Sequence, residues 1–415
     1  MNVSRPRLAG LVAAAAMAAT PPPPPAAQPP PHGPSQPTGG ACPVLERVTR
    51  LGQWFPPSRI LTPAIPVQQV VAPQNPQFSP VAMRLQFQVN NAGDRRWRIV
   101  VRDPDLRTLA VLAADDFPNP TGTAAERWTG ILRFPRVVLE LEDASPGVAI
   151  AVASGIALPD IAGANVFSIR GSTPEWNKLY GPDVADSGIK RTGEAVGMMQ
   201  SSAFAGAAMQ PWCCSGVMIS PSLFLTNWHC GGTAAMTDEA YWTEACRNAV
   251  IDLGWDGGQV RRQLSCESVV AKDKDLDFAV LRVRPVLGDG AATRAAPARL
   301  STGEIAPQQP VYLIHHASCD VKLVSRNCHV EATSHAAWTS GSAGPGPDIT
   351  HTCDSERGSS GGGLFDATSG RLIALHHAGF SQDAQCHVEG NKAVRISEIV
   401  QKLPADLRAE LNIHP

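Results

Sequence analysis

Short runs that alternate apolar and polar residues, each closed by a turn, constrain the fold of this chain more than any other feature. Arg84-Leu85-Gln86-Phe87-Gln88-Val89, Trp97-Arg98-Ile99-Val100-Val101 and Arg136-Val137-Val138-Leu139-Glu140-Leu141 carry the period of two that turns one face of a strand to a core. Asn-Ala-Gly, Asp-Pro and Pro-Gly turns separate them, so residues 41–160 are expected to form a small β-sandwich-like domain. Strand signals return at residues 216–219, 223–226, 277–283, 311–314 and 371–376, and residues 405–411 read as a short closing helix. Residues 161–205, rich in Gly, Pro, Asp and Ser, read as a linker in which Lys190-Arg191 offers a maturation cleavage site. A second domain is expected over residues 206–403, followed by a helical tail over 404–415.

Before the first β domain the composition changes twice. Arg5 and Arg7 precede an apolar stretch from Leu8 to Ala19, and Ala16-Met17-Ala18 supplies small residues for cleavage, so residues 1–18 read as a signal peptide. Residues 19–40 form a spacer: the ten prolines between positions 21 and 37 favour an extended polyproline conformation and cannot bury a core. No later stretch reaches the roughly 18 apolar residues of a membrane span. A protein without membrane contact after signal cleavage, secreted or periplasmic, is therefore expected, and the ten cysteines fit disulfides in an oxidising compartment. A formal charge of −2 supplies no basic field, which argues against nucleic acid as a partner.

Three short segments carry chemistry. His229 lies in Leu225-Thr226-Asn227-Trp228-His229-Cys230, Asp277 in Asp275-Leu276-Asp277-Phe278-Ala279-Val280, and Ser360 in Gly358-Ser359-Ser360-Gly361-Gly362. A serine hydroxyl is a weak nucleophile at neutral pH; it needs a base within hydrogen-bond reach and a third group to hold that base in one tautomer. His, Asp and Ser in this order, each in its own context, resemble the chymotrypsin/trypsin-like serine proteases, and Ile314-His315-His316 and Tyr241-Trp242 with Cys246-Arg247 are most similar to the bacterial branch of lysyl and glutamyl endopeptidases.

The resemblance implies an all-β, chymotrypsin-like double β-barrel, with His229 and Asp277 on the first barrel and Ser360 on the second. It implies Ser360 as nucleophile, His229 as general base, Asp277 as its orienting carboxylate, and the Gly358 and Ser360 amides as the oxyanion hole. It also implies a Cys214–Cys230 disulfide around the histidine loop. Cys353 with Cys386, flanking the specificity pocket, and Cys319 with Cys328, stapling a hairpin, are further expected pairs; Cys42, Cys213, Cys246 and Cys266 are left unassigned. Ser359 stands where animal members carry the aspartate that pairs with a freed N-terminus, so activation by that ion pair is not expected.

For the substrate pocket, Asp354 would select a basic side chain as in trypsins, whereas Ser355 with His376 would hold an acidic one as in glutamyl enzymes. Adjacent strand residues point to opposite faces, so His315-His316 and His376-His377, like His387, are expected to be structural, with no metal and no cofactor. The expected protein is a monomeric, secreted serine endopeptidase acting on protein or peptide substrates. Two other functions stay open: a non-catalytic binding protein on a protease scaffold, and a latent zymogen whose N-terminal domain must be removed.

Overall fold

The computed structural model describes residues 49–74, 78–93, 95–117, 125–159, 174–205, 208–232, 242–256, 262–286, 296–336, 345–381 and 388–414. The expected signal peptide and Pro-rich spacer, with Cys42, Tyr241, Cys386 and His387, lie outside them.

The first β domain is a sandwich of two antiparallel sheets. One pairs Ala149–Pro159 with Gln53–Phe55, Arg59–Leu61 and Pro80–Asn91, and Pro80–Asn91 in turn with Ala125–Trp128. The other runs Val67–Val71, Arg136–Glu142, Arg98–Arg102, Thr108–Ala113. Alternation works as the sequence requires: Val137, Leu139 and Leu141 are buried against Phe87, Trp97 and Ile99, while Arg98 and Arg102 on the outer face pair with Glu142 and Glu140 at 2.6 and 2.8 Å.

Two closed six-stranded barrels follow. The first is built from β1 (Val196–Ala205), β2 (Ala208–Met218), β3 (Leu223–Thr226), β4 (Val250–Asp252), β5 (Gln263–Asp273) and β6 (Phe278–Pro285). They pair in the order β2-β1-β4-β5-β6-β3, and β3 closes onto β2. The second comprises β7 (Pro310–His315), β8 (Leu323–His335), β9 (Asp348–His351), β10 (Gly363–Asp366), β11 (Leu372–Ser381) and β12 (Val388–Arg395), ordered β10-β7-β8-β9-β12-β11 with β10 closing onto β11. Helices Ile396–Lys402 and Ala405–Ala409 follow the last strand.

Much of the stretch expected as a linker belongs to the barrels. Trp176–Lys178 pairs with β8, and β1 supplies a wall of the first barrel. The apolar signal of β1 is diluted by Gln200, Ser201 and Ser202, all buried; Gln200 and Ser201 are partnered, Ser201 Oγ donating to the Ala245 carbonyl at 2.7 Å. Lys190-Arg191 sits inside helix Ser187–Gly193, N-capped by Asp186, so the expected cleavage site is helical rather than an open loop.

The disulfides correct two expected pairs. Cys214 bonds Cys230 as the resemblance implies, but Cys353 bonds Cys328, Cys319 bonds Cys213, and Cys246 bonds Cys266. The register of β8 on β9 sets Val330 opposite His351, and continuing that antiparallel ladder by two residues brings Cys328 opposite Cys353. Cys319 lies instead in the 3-10 turn Ala317–Cys319 before β8, where it reaches the first barrel.

Sandwich and first barrel meet through a polar seam. The Arg84 guanidinium, 2 % exposed, donates to Gln200 Oε1 (2.6 Å), the Asn248 carbonyl (2.7 Å) and the Thr129 carbonyl (3.2 Å), and lies over the Trp128 ring. Gln263 clasps Ile131 through both its amide and its carbonyl, at 2.7 and 3.2 Å. Leu51, Ile131, Ile156, Met198, Val250 and the Cys213–Cys319 disulfide pack into one apolar cluster beside it. Arg84→Ala strands three buried acceptors and is expected to cost about 3 kcal/mol, measured as a lower urea midpoint with earlier proteolysis at the sandwich–barrel junction.

Candidate active site

β3 ends at Thr226, and the chain turns through the 3-10 segment Trp228–Gly231, which carries His229. Three bonds fix that segment: Trp212 Nε1 donates to the Cys230 carbonyl (2.9 Å), Trp242 Nε1 to the Trp228 carbonyl (3.0 Å), and Cys230 is tied to Cys214. Asp277 precedes β6 in the left-handed region, at φ +53°, a conformation that costs an aspartate energy and persists only when its surroundings hold it. Here they do: Asp277 Oδ1 accepts the His229 amide (2.9 Å), Oδ2 lies 2.8 Å from His229 Nδ1, and Asn227 Nδ2 donates to the Asp277 carbonyl (2.9 Å). Burial favours the neutral carboxyl, but His229 and then His377 outweigh it and hold Asp277 below the usual carboxylate range.

Ser360 lies on a turn gripped by both barrels. The amide of Ser215, on β2, donates to the Ser360 carbonyl (2.8 Å). Ser215 Oγ donates to the Gly358 carbonyl (2.7 Å) and accepts the His316 amide (2.8 Å). Gly361, at φ +86°, packs so closely that a Cβ there would lie 2.0 Å from the Ser215 carbonyl and 2.6 Å from Thr226 Oγ1. This contact brings the nucleophile turn to the strand end that leads into His229.

Two carbonyls of the turn are pinned. Arg357 O accepts the Ser318 amide at 2.6 Å, and Ser359 O accepts the Gly362 amide at 2.7 Å. Because a trans peptide is planar with its N–H opposite its C=O, the Gly358 and Ser360 amides point away from those partners. Gly358 is at φ +93°, and a Cβ there would meet the His316 carbonyl at 2.6 Å, so only glycine fits. Ser360 Oγ donates to the His377 carbonyl at 3.3 Å. The side chain of His377 reaches 3.4 Å from Asp277 Oδ2, so one residue touches both Ser360 and Asp277.

The turn has a second anchor, on His315. His315 Nδ1 and Ser359 Oγ are 2.6 Å apart, His315 Nε2 and Ser325 Oγ 3.1 Å, and Ser325 Oγ donates to the Asp354 carbonyl at 2.6 Å. Burial lowers His315 to about 3, so a neutral imidazole holds Ser359.

The pocket residues divide. Asp354 is 4 % exposed and its Oδ2 accepts the Glu175 amide at 2.8 Å. Ser355 Oγ donates to Asn391 Oδ1 (3.1 Å), whose Nδ2 donates to the Cys353 carbonyl (2.6 Å). His376 Nδ1 lies 3.2 Å from His351 Nε2, the two rings edge to face. Burial, reinforced by His351, drives His376 well below its ordinary value, so its ring is neutral. His351 had no sequence signal; the β9–β12 register, His351 opposite Asn391, brings it there.

Residues 214–375 match the family model described as a trypsin-like peptidase domain. No curated protein matches the chain. Among solved structures the chain is similar to the active form of the Rv3671c protease from M. tuberculosis, at 16% identity, 62% of this chain, 96% of that chain and a TM-score of 0.40, and to an inactive form of it at 17% identity, 56% of this chain, 94% of that chain and a TM-score of 0.38. It is also similar to the HtrA-type protease AlgW with a tripeptide, at 19% identity, 52% of this chain, 60% of that chain and a TM-score of 0.39.

Ser215→Ala removes the partner of both the Gly358 carbonyl and the His316 amide. It is expected to destabilise by about 2 kcal/mol, read as a lowered denaturation midpoint with an unchanged m-value.

Proposed function

We propose that the protein is a serine endopeptidase in which Ser360 attacks the scissile carbonyl. His229 takes the hydroxyl proton and passes it to the leaving amine, Asp277 holds the His229 ring, and the Gly358 and Ser360 amides receive the oxyanion. The observation that carries this function is the double grip of Asp277 on His229, at its amide and at Nδ1. That grip leaves Nε2 as the nitrogen able to act as base. Rotation about χ1 transfers the Ser360 hydroxyl from the His377 carbonyl towards it, and collapse of the tetrahedral intermediate gives an acyl-enzyme that water hydrolyses. The chemistry requires no cofactor.

For the side chain preceding the cleaved bond we favour an acidic residue over a basic one: Asp354 spends an oxygen on the Glu175 amide, while Ser355 and His376 carry no negative charge to repel a carboxylate. For location, four disulfides among the described residues support an extracytoplasmic protein, and no helix among them is long and apolar enough to cross a membrane. The sandwich seam supports a permanently docked domain rather than a latch that must be removed.

A fluorophosphonate is expected to label Ser360 in the untrimmed protein and to leave Ser360→Ala unlabelled, as read by peptide mass spectrometry. Labelling that requires prior removal of residues 49–159 would make the sandwich inhibitory, and no labelling of either form would turn the barrels into a binding scaffold. Peptides with Glu before the cleaved bond are expected to be cut at least tenfold faster than those with Lys; the reverse order would return Asp354 to the pocket floor.

A further inference from the structure

His377, on β11, is fully buried between two carboxylates that are themselves without exposure. Its Nδ1 lies 3.4 Å from Asp277 Oδ2, and its Nε2 lies 3.2 Å from Asp348 Oδ2 on β9. Both contacts are at ion-pair distance, and each favours a charged ring. The row His229, Asp277, His377, Asp348 crosses from the first barrel into the second. Two carboxylates out of reach of water require compensation, and a single neutral imidazole cannot provide it.

We propose that His377 is a buried imidazolium, held by Asp348, that acts as a positioning residue on Asp277 and through it sets the pH range over which His229 works. This rests on the triad proposed above. The cation shares the charge of Asp277, which weakens the pull of that carboxylate on a proton at His229.

The groups facing this row are few in charge. His376 on the same strand is neutral and paired with His351. Lys392 on β12 donates to the Ala336 carbonyl at 3.0 Å and feels Asp348 from the side. Burial opposes the charged form of His377, yet Asp348 and Asp277 outweigh it and raise the group to about 9. A raised base stabilises the fold fully below its unfolded value of about 6.5, and that contribution is lost as pH rises through about 9.

The test begins with side-chain nitrogen NMR of the full chain, which does not depend on activity. His377 is expected to be doubly protonated at pH 7, with a midpoint near 9 that falls in Asp348→Asn. A His377 ring that is neutral at pH 7 overturns the proposal.

In protein whose Ser360 labels with fluorophosphonate, kcat/KM is expected to show an alkaline ionisation that moves down in Asp348→Asn and vanishes in His377→Gln. In His377→Gln the acid limb is expected to move up by about one pH unit, about tenfold in kcat/KM on that limb. Profiles that superimpose on the wild type after scaling overturn the proposal while leaving the triad standing; absence of labelling in the wild type overturns the triad itself. If His377→Gln fails to fold, the His377→Gln/Asp348→Asn double variant, which leaves no unpaired carboxylate at position 348, carries the same pH comparison.

Discussion

A carboxylate sealed from water must be answered by the protein around it, and Asp277 is the group on which this site depends. Its two oxygens take the amide and ring of His229, and its own carbonyl takes Asn227. These bonds are stronger for being dry, and their loss would leave a buried charge unpaired. They hold Asp277 in a left-handed conformation and fix which nitrogen of His229 faces away from the carboxylate. The Cys214–Cys230 disulfide and the two tryptophan N–H bonds keep the histidine loop where that carboxylate can reach it. The hydrogen bonds that orient His229 on Asp277 therefore lie within the first barrel, and the second barrel adds only the approach of His377 to that carboxylate.

Ser360 is held by both barrels. The Ser360 turn receives bonds from Ser215 on the first barrel and from Ser318 and His315, by way of Ser359, on the second. Gly358 lies against the Cys213–Cys319 disulfide that crosses between barrels, 3.3 Å from Cys213 Sγ to the position of an added Cβ. A turn tied on both sides cannot follow one barrel without straining against the other, so the relative setting of the barrels and the position of Ser360 are a single variable. Catalysis by preorganised dipoles needs this, since a small displacement of a donor forfeits much of its effect.

What the sequence disclosed follows from how local each signal is. The strand at Leu223–Thr226 was legible because it is apolar throughout and ends at a polar turn, and His229, Asp277 and Ser360 each stand in a short, recognisable context. Nothing local marks Ser215, His351 or Asp348: their roles are set by which strands become neighbours and in what register. The Cys328–Cys353 pair depends on the β8–β9 ladder in the same way. The sandwich strands were legible from alternation, whereas β1 was hidden because its buried polar residues, Gln200 and Ser201, find partners only after the sandwich and the helix Thr243–Asn248 have docked.

That dependence bears on what the sandwich does. Burial lowers Arg84 to about 9, and its bonded partners are amide and carbonyl oxygens with an aromatic face. A cation desolvated in this manner gains little net energy from its bonds, but the penalty for leaving Gln200, Asn248 and Thr129 unanswered is larger than that gain. Such a seam specifies one docking geometry more than it strengthens it. Lys322 repeats the arrangement between the barrels, donating to the carbonyls of Gly193 and Leu253 while burial lowers it to about 8. A segment destined for removal would expose on the barrel a row of polar groups with no solvent-facing design, including the Gln263 amide and the Asp252 carboxylate that Arg133 approaches at 3.5 Å. The seam thus ties the sandwich to the geometry of the first barrel and, through the inter-barrel disulfide in its apolar cluster, to the turn that carries Ser360.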